Sequence, residues 1–339
     1  MTNTSMRTIR LGKRPTLETI AISHEPIPTP GAGEVLVRIH ATSLNFHDYL
    51  VVAGHIPVAE GLVPMSDGAG EVVALGADVT EWTPGDRVMG AFFPLWLTGR
   101  PDFANNAAVS GETANGFASE YVVATAASLS RMPTGWSFEE AATLPCAGLT
   151  AWRALTVEGR LQPGDTVLLP GSGGLCVYAL QLGKALGLTI IMTSSSDEKL
   201  ARLMTMGADY SINYRKTPDW GQRALELTNG AGVDLVLEIG GQSSFAQSVI
   251  ACRMGGRLSV VGSTANAAPE LPLRDVIMHH IQVGGMAVGS VEQLRQLVLF
   301  VEKHGIRPII DRSFPIEQLR DAFEHQLSGK HFGKIVATF

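Results

Sequence analysis

The chain has 339 residues, 45% hydrophobic and 17% charged, with a formal net charge of −6. That length suits two domains, and the acidic balance argues against a partner such as nucleic acid or an anionic membrane surface. No apolar run reaches the ~18 residues of a spanning helix, and the N-terminal stretch MTNTSMRTIRLGKRP lacks the apolar centre of a secretory signal. Cys146, Cys176 and Cys252 lie far apart. They form neither a disulfide framework nor a C-x-x-C metal site, which predicts a reducing, cytoplasmic setting and small buried side chains.

The N-terminal part reads as β-rich. Alternation over Glu34–Ile39 and the run Gly70–Leu75 predict strands, and TPGDRV, Thr83–Val88, is a turn leading into another. Ala91–Gly116 is irregular, rich in Pro, Gly and Asn, and carries Phe92, Phe93, Trp96 and Phe103. Long loops of this kind are functional or disordered more often than neutral.

From about residue 141 the pattern changes. Thr166–Leu169, Thr189–Met192, Tyr210–Asn213, Asp234–Ile239 and Arg257–Val261 read as buried strands. Helices are expected at Gly174–Ala185, Asp197–Met206, Trp220–Thr228 and Ser243–Cys252. Apolar strands alternating with helices predict a parallel sheet covered on both faces. Ile281–Val288 would add a sixth strand, followed by helices at Ser290–His304 and Ile316–Leu327 and a last strand at Gly333–Phe339. This gives an α/β protein with a β-rich domain, 1–140 plus 305–339, and a doubly wound domain at 141–304.

The turn after the first of these buried strands reads GSGGLC, Gly171–Cys176. In the G-x-G-x-x-G fingerprint the first glycine makes the tight turn, the second admits a pyrophosphate, and the third packs helix on strand. Gly171 and Gly173 supply the first two, with Ser172, Gly174 and Leu175 completing the turn, and Cys176 replaces the third. The change costs a slight shift of the helix and not the phosphate site, because the helix N-terminus still presents N–H groups. A plain Gly-rich turn is the alternative, and the strand-turn-helix context argues against it.

The second strand of this domain ends in Thr193, Ser194, Ser195 and Ser196, without a carboxylate for a ribose 2′-hydroxyl. Ser194 and Ser195 can donate to a 2′-phosphate, Lys199 adds charge, and Tyr214 with Arg215 can close the pocket. That favours NADP(H) over NAD(H). Ser196 also stands where a helix cap would.

Several stretches together resemble the medium-chain dehydrogenase/reductase superfamily. They are PGAGEVLVRIHATSLNFHDYLVVAG (30–54), PMSDGAGEVVALG (64–76), PGDRV (84–88), EEAATLPCAGLTAWRAL (139–155), SDEKLARLMTMGADYSINYR (196–215) and SGKHFGKIV (328–336). The chain is most similar to the zinc-free alcohol dehydrogenase-like and quinone oxidoreductase-like branch. The resemblance implies a GroES-like catalytic domain with a Rossmann domain inserted, and a homodimer joined near Ile281–Val288. It places Thr150, Gly262, Met286 and Val288 beside the nicotinamide, and Lys334 near a basic residue that holds the pyrophosphate.

Aligned with zinc-dependent members, Asn45 replaces the first cysteine ligand, and Ser66 and Asp67 replace the His-Glu pair. Only Cys146 matches a later ligand, and one thiolate is short of the three protein ligands of a catalytic zinc. No metal is therefore expected, the alternative being an unusual site built from His47, Asp67 and Cys146. Asn45 is then the candidate amide donor to a substrate oxygen, His47 the proton donor and Asp48 its orienting carboxylate. The alternative is that N-x-H-D caps a helix. Phe46, Phe92 and Trp96 are candidate apolar walls for substrate, or ordinary packing. The expected function is NADP(H)-dependent, zinc-independent transfer of hydride to or from an apolar carbonyl, enone, quinone or alcohol. Quinone reduction, or a catalytically idle NADPH-binding protein, is the alternative.

Overall fold

The computed structural model describes residues 4–241, 244–262 and 272–339. It divides into two compact units, Met1–Leu149 with Val288–Phe339, and Thr150–Ala287.

The first unit opens with an antiparallel pair, β1 (Ser5–Ile9) and β2 (Ile22–Pro26). There follow β3 (Glu34–Ser43), β4 (Ala69–Leu75), β5 (Arg87–Gly90), β6 (Tyr121–Thr125) and β7 (Leu129–Arg131). Val35, Val37 and Ile39 of β3 pack with Val72, Val88 and Leu129, so the alternation read from the sequence is an inward face. The strand continues past Ile39 to Ser43, and the helix Phe46–Val52 follows at once. That helix is the one the capping alternative for N-x-H-D implies. It is short, and its signature is a cap, not a long apolar stripe.

The second unit carries β8 (Thr166–Pro170), β9 (Thr189–Ser194), β10 (Tyr210–Asn213), β11 (Val233–Glu238), β12 (Cys252–Val260) and β13 (Gln282–Gly285). All pair in parallel, in the order β10-β9-β8-β11-β12-β13. This is the doubly wound arrangement, and its reversal point lies between β8 and β11. Helices Gly174–Ala185, Asp197–Thr205, Trp220–Leu227 and Phe245–Ala251 connect the strands. The expected start of the last helix, Ser243, lies outside the described residues. β12 begins five residues before its expected start. Gly255, at φ +71°, and Gly256 make that stretch look like a turn, yet the strand absorbs them through a register shift against β11. The expected strand Ile281–Val288 contracts to Gln282–Gly285, because Val288 adopts φ +40° and leaves the extended region.

The chain then returns to the first unit. β14 (Ile310–Pro315) and β15 (Lys334–Thr338) complete its sheet in the order β14-β15-β3-β4-β5-β7, with β6 also on β3. The helix Val291–His304 packs here too, although the sequence pattern grouped it with the other domain. Arg295 donates to the carbonyls of Ala127 and Leu129, and Val291 N–H to Trp96 O at 2.9 Å. Pro315 does precede a helical segment, a 3₁₀ turn at Ile316–Gln318 that runs into the helix Leu319–Leu327.

Candidate active site

In the first unit β3 ends at Ser43, and Asn45 caps the helix Phe46–Val52. Asp48 Oδ2 accepts from Asn45 N–H at 2.8 Å, half of a capping box. The cap alternative therefore describes the backbone here. The side chains do more. Asn45 Nδ2 donates to Asp67 Oδ2 at 2.8 Å and Asp48 Oδ2 at 3.1 Å, with Ser66 Oγ at 3.3 Å. Its Oδ1 accepts from Lys334 Nζ at 2.6 Å. Lys334 also donates to Leu44 O at 2.7 Å and sits 3.7 Å from Asp67 Oδ2. Ser43 Oγ donates to Asp67 Oδ2, and Ser66 N–H to Asp48 Oδ1, each at 2.7 Å.

This closed network corrects two expectations. Both amide hydrogens of Asn45 are taken by carboxylates, so the amide is a hub and not a donor left over for substrate. Lys334 is 3% exposed, with its ammonium turned to Leu44 and Asn45. Asp48, 1% exposed, chiefly supports the Asn45 and Ser66 backbone. Burial pushes Asp67 up to about 6 even though Lys334 and Asn45 pull it down. Asp48 is held below its usual range, because His47 and Ser66 outweigh its own burial. Asp67 Oδ1 is buried and has no hydrogen-bond partner.

His47 leaves this cluster on the next position of the helix. Its Nε2 lies 2.6 Å from Glu112 Oε2, and its Nδ1 3.8 Å from Asp48 Oδ1. Burial lowers the imidazole, but Asp48 and Glu112 more than offset it and lift it to about 9. The ring is edge-on to Phe92, with centroids 5.1 Å apart. Phe92 is buried and touches Phe93, while Phe46 is exposed. Trp96, 1% exposed, donates Nε1–H to Gly99 O; that places it in the packing of its loop and not on an open wall. Glu112 was not singled out in the sequence. It lies 65 residues from His47, in a loop without periodicity.

In the second unit the glycine turn follows β8, at the reversal point of the sheet. Gly171 has φ +115°, and an added Cβ would meet no protein atom within 4 Å. Backbone conformation, not crowding, demands glycine there. Gly171 N–H donates to Thr193 O at 2.7 Å, tying the turn to β9. Ser172 is buried, Gly173 is the N-cap of the helix Gly174–Ala185, and Leu175 is half-buried. The first turn of that helix presents backbone N–H groups to an anion. Cys176 takes the packing position: it is 1% exposed, and its thiol contacts Pro170 O at 3.3 Å. Burial, with help from Glu238, pushes that thiol up to about 12, so it packs and does not react.

Glu238, at the end of β11, is fully buried and went unremarked in the sequence. Its carboxylate accepts from Gly240 N–H at 2.7 Å, Gly241 N–H at 3.0 Å and the hydroxyls of Ser244 and Ser248. It shapes the second loop of the same crevice. An acidic residue closing an apolar strand was the available signal.

At the end of β9, Ser194 is buried and Ser195 half-buried. Ser196 Oγ does cap the next helix, accepting from Lys199 N–H at 3.3 Å. The Lys199 side chain is half-buried in the first turn. Tyr214 donates its N–H to Ser194 O at 3.2 Å and is 41% exposed, which places it and Ser194 together. Asp197, at the start of the next helix, is held by Asn213 at 2.7 Å and Lys216 at 2.5 Å. Thr150 and Met286 are buried in this unit, and Gly262 follows β12. Val288 is buried in the other unit.

Among the described residues no group of three or more His, Cys, Asp and Glu side chains is arranged to hold a metal ion. The half-buried Cys146 thiol is pushed well above its ordinary value by loss of solvent, and Asp67 adds to that.

Two family models match the chain, the alcohol dehydrogenase GroES-like domain over residues 31–134 and the zinc-binding dehydrogenase domain over 174–303. A zinc-type alcohol dehydrogenase-like protein of Schizosaccharomyces pombe is 41% identical over 313 residues, covering 90% of each chain. A structure of a candidate alcohol dehydrogenase from Sinorhizobium meliloti 1021 superposes with TM-score 0.92 at 37% identity, covering all of both chains. An NAD-dependent alcohol dehydrogenase structure gives 0.91 at 31% identity, covering 98% of this chain and 100% of its own. The β-rich unit is thus GroES-like and the parallel unit Rossmann-like, and the chain belongs to the medium-chain dehydrogenase/reductase superfamily as an alcohol dehydrogenase-like NAD(P)-dependent oxidoreductase.

Proposed function

We propose that the chain is an NADP(H)-dependent reductase of apolar carbonyl compounds that works without a metal and takes its proton from His47. The bound dinucleotide supplies hydride. The observation that carries the reading is the place of His47, its Nε2 2.6 Å from Glu112 Oε2 and its Nδ1 3.8 Å from Asp48 Oδ1: two carboxylates favour the imidazolium, which can protonate a developing alkoxide or enolate. The donor set beside it suits a cation poorly. Lys334 already places an ammonium 3.7 Å from Asp67, and the Asn45 amide is spent on carboxylates. Gly171 and the helix Gly174–Ala185 would take the pyrophosphate. Ser194, Ser195, Lys199 and Tyr214 would take the 2′-phosphate, and Asp197 is paired with Lys216. Phe46 and Phe92 supply apolar contact beside His47.

Consumption of NADPH and NADH is the test, with aldehydes, ketones, enones and quinones offered in turn. NADPH should be preferred, and His47→Gln should slow reduction by about 10²-fold or more. An equal rate with NADH, or a His47→Gln enzyme at full rate, contradicts the reading. A preference for enones and quinones would assign 1,4-addition, for which the same proton donor serves.

We also read β13 as the edge that pairs with a second copy. It is an end strand of the sheet, and Ile277, Met278 and Val283 beside it are 67%, 62% and 41% exposed. Sedimentation at micromolar concentration should show a dimer, and a monomer would refute this.

A further inference from the structure

Glu112 reaches the active site by a route with its own structural machinery. The turn 109–114 is cross-braced: Glu112, Thr113 and Ala114 all donate backbone N–H to Val109 O, and Gly111 N–H donates to Ala114 O. Thr113 Oγ1 accepts from Val109 N–H and donates to Ala107 O. Gly111, at φ +79°, and Gly116 bracket the turn. A Cβ on Gly116 would stand 2.1 Å from Met65 O, and one on Gly111 2.8 Å from Met65 C. Phe117 N–H bonds Met65 O at 2.8 Å. The two glycines let the loop lie against the backbone that leads into Ser66 and Asp67. At the apex the Glu112 carboxylate meets His47 Nε2 at 2.6 Å.

We propose that Glu112 is a positioning residue for this reaction, fixing the His47 ring by Nε2 and keeping it in its charged form. The inference rests on the reading of His47 as the proton donor. Nδ1 is shielded from water and has no acceptor at hydrogen-bond distance. Asp48 Oδ1, 3.8 Å away, already accepts from Ser66 N–H. In the step, an imidazolium N–H bond breaks and an O–H bond forms on the substrate oxygen, while hydride comes from the reduced dinucleotide. The imidazole is left neutral, and its partly exposed ring takes the proton back from solvent. The charged groups facing His47 are Asp48 from its own helix and Glu112 from the loop. Asp67 and Lys334 lie beyond Asp48, joined to it through Asn45.

The test is an NMR titration of the histidines in the full chain and in Glu112→Gln and Glu112→Asp, with His47 assigned by its loss in His47→Gln. In the native chain His47 should titrate near 9. In Glu112→Gln that value should fall by about one pH unit or more, and the alkaline limb of the pH-rate profile for reduction should move down with it. Glu112→Asp should restore part of both. A Glu112→Gln chain with an unmoved His47 and an unmoved profile overturns the proposal. So does a native His47 that titrates near 6.5. A shifted His47 in a chain that reduces no carbonyl compound would leave the pairing intact and refute the catalytic reading instead.

Discussion

Around Asn45 in the first unit, the polar side chains are bonded to one another. Around Gly171 in the second, the working groups are backbone atoms of a turn and a helix end. The first arrangement is closed: Lys334, Asn45, Asp67 and Asp48 use each other's donors and acceptors inside a buried cluster. The second is open, held in shape by Gly171 and by the Glu238 carboxylate behind the neighbouring loop. Side-chain identity therefore matters most in the first unit, and backbone conformation in the second. His47 stands outside the closed cluster, where it meets Glu112.

The largest expected effect breaks the closed side of that contrast. Lys334→Met strips the cation from Asp67 and the donor from Asn45 Oδ1, both buried. Losing one partner of a buried charged network costs about 3–5 kcal/mol, so the urea midpoint should drop sharply. A midpoint near the native value would show that the cluster is not held by its charges. On the open side, Gly171→Ala forces a φ of +115° on a residue with a Cβ. Strain of about 1–3 kcal/mol is expected, and calorimetry should record NADPH binding weakened by roughly ten-fold or more with the first unit's cluster unaffected.

A pH series sharpens the same contrast. The His47 imidazole goes from 6.5 to about 9 on folding, so the stability it contributes is complete below 6.5 and lost as pH rises through 9. Urea unfolding between about pH 6 and pH 10 should show a decline that His47→Gln removes. The smallest effect belongs to Cys176→Ala. It deletes a packed sulfur and its contact with Pro170 O. About 1 kcal/mol of stability should go, while NADPH affinity stays as it was. A lost affinity would make Cys176 part of the phosphate site after all.

These differences track what the sequence made legible. The parallel strands and the glycine turn are periodic or local signals, and most of their boundaries agree with expectation. The pattern N-x-H-D displayed a cap, but not how its side chains are bonded, because Lys334 reaches Asn45 from 289 positions away. Glu112 carried no signal in its own stretch; only the glycines bracketing its turn were visible, without the Met65 backbone that explains them. Glu238 read as an ordinary strand end until the two glycine N–H groups and two hydroxyls around it were seen.

The most direct test of the whole account is the single-turnover rate of NADPH oxidation by a carbonyl substrate before and after exhaustive chelation, with bound metal counted by mass spectrometry. The account predicts an unchanged rate from a protein holding far less than one metal ion per chain. A rate that vanishes on chelation and returns with added zinc would contradict it.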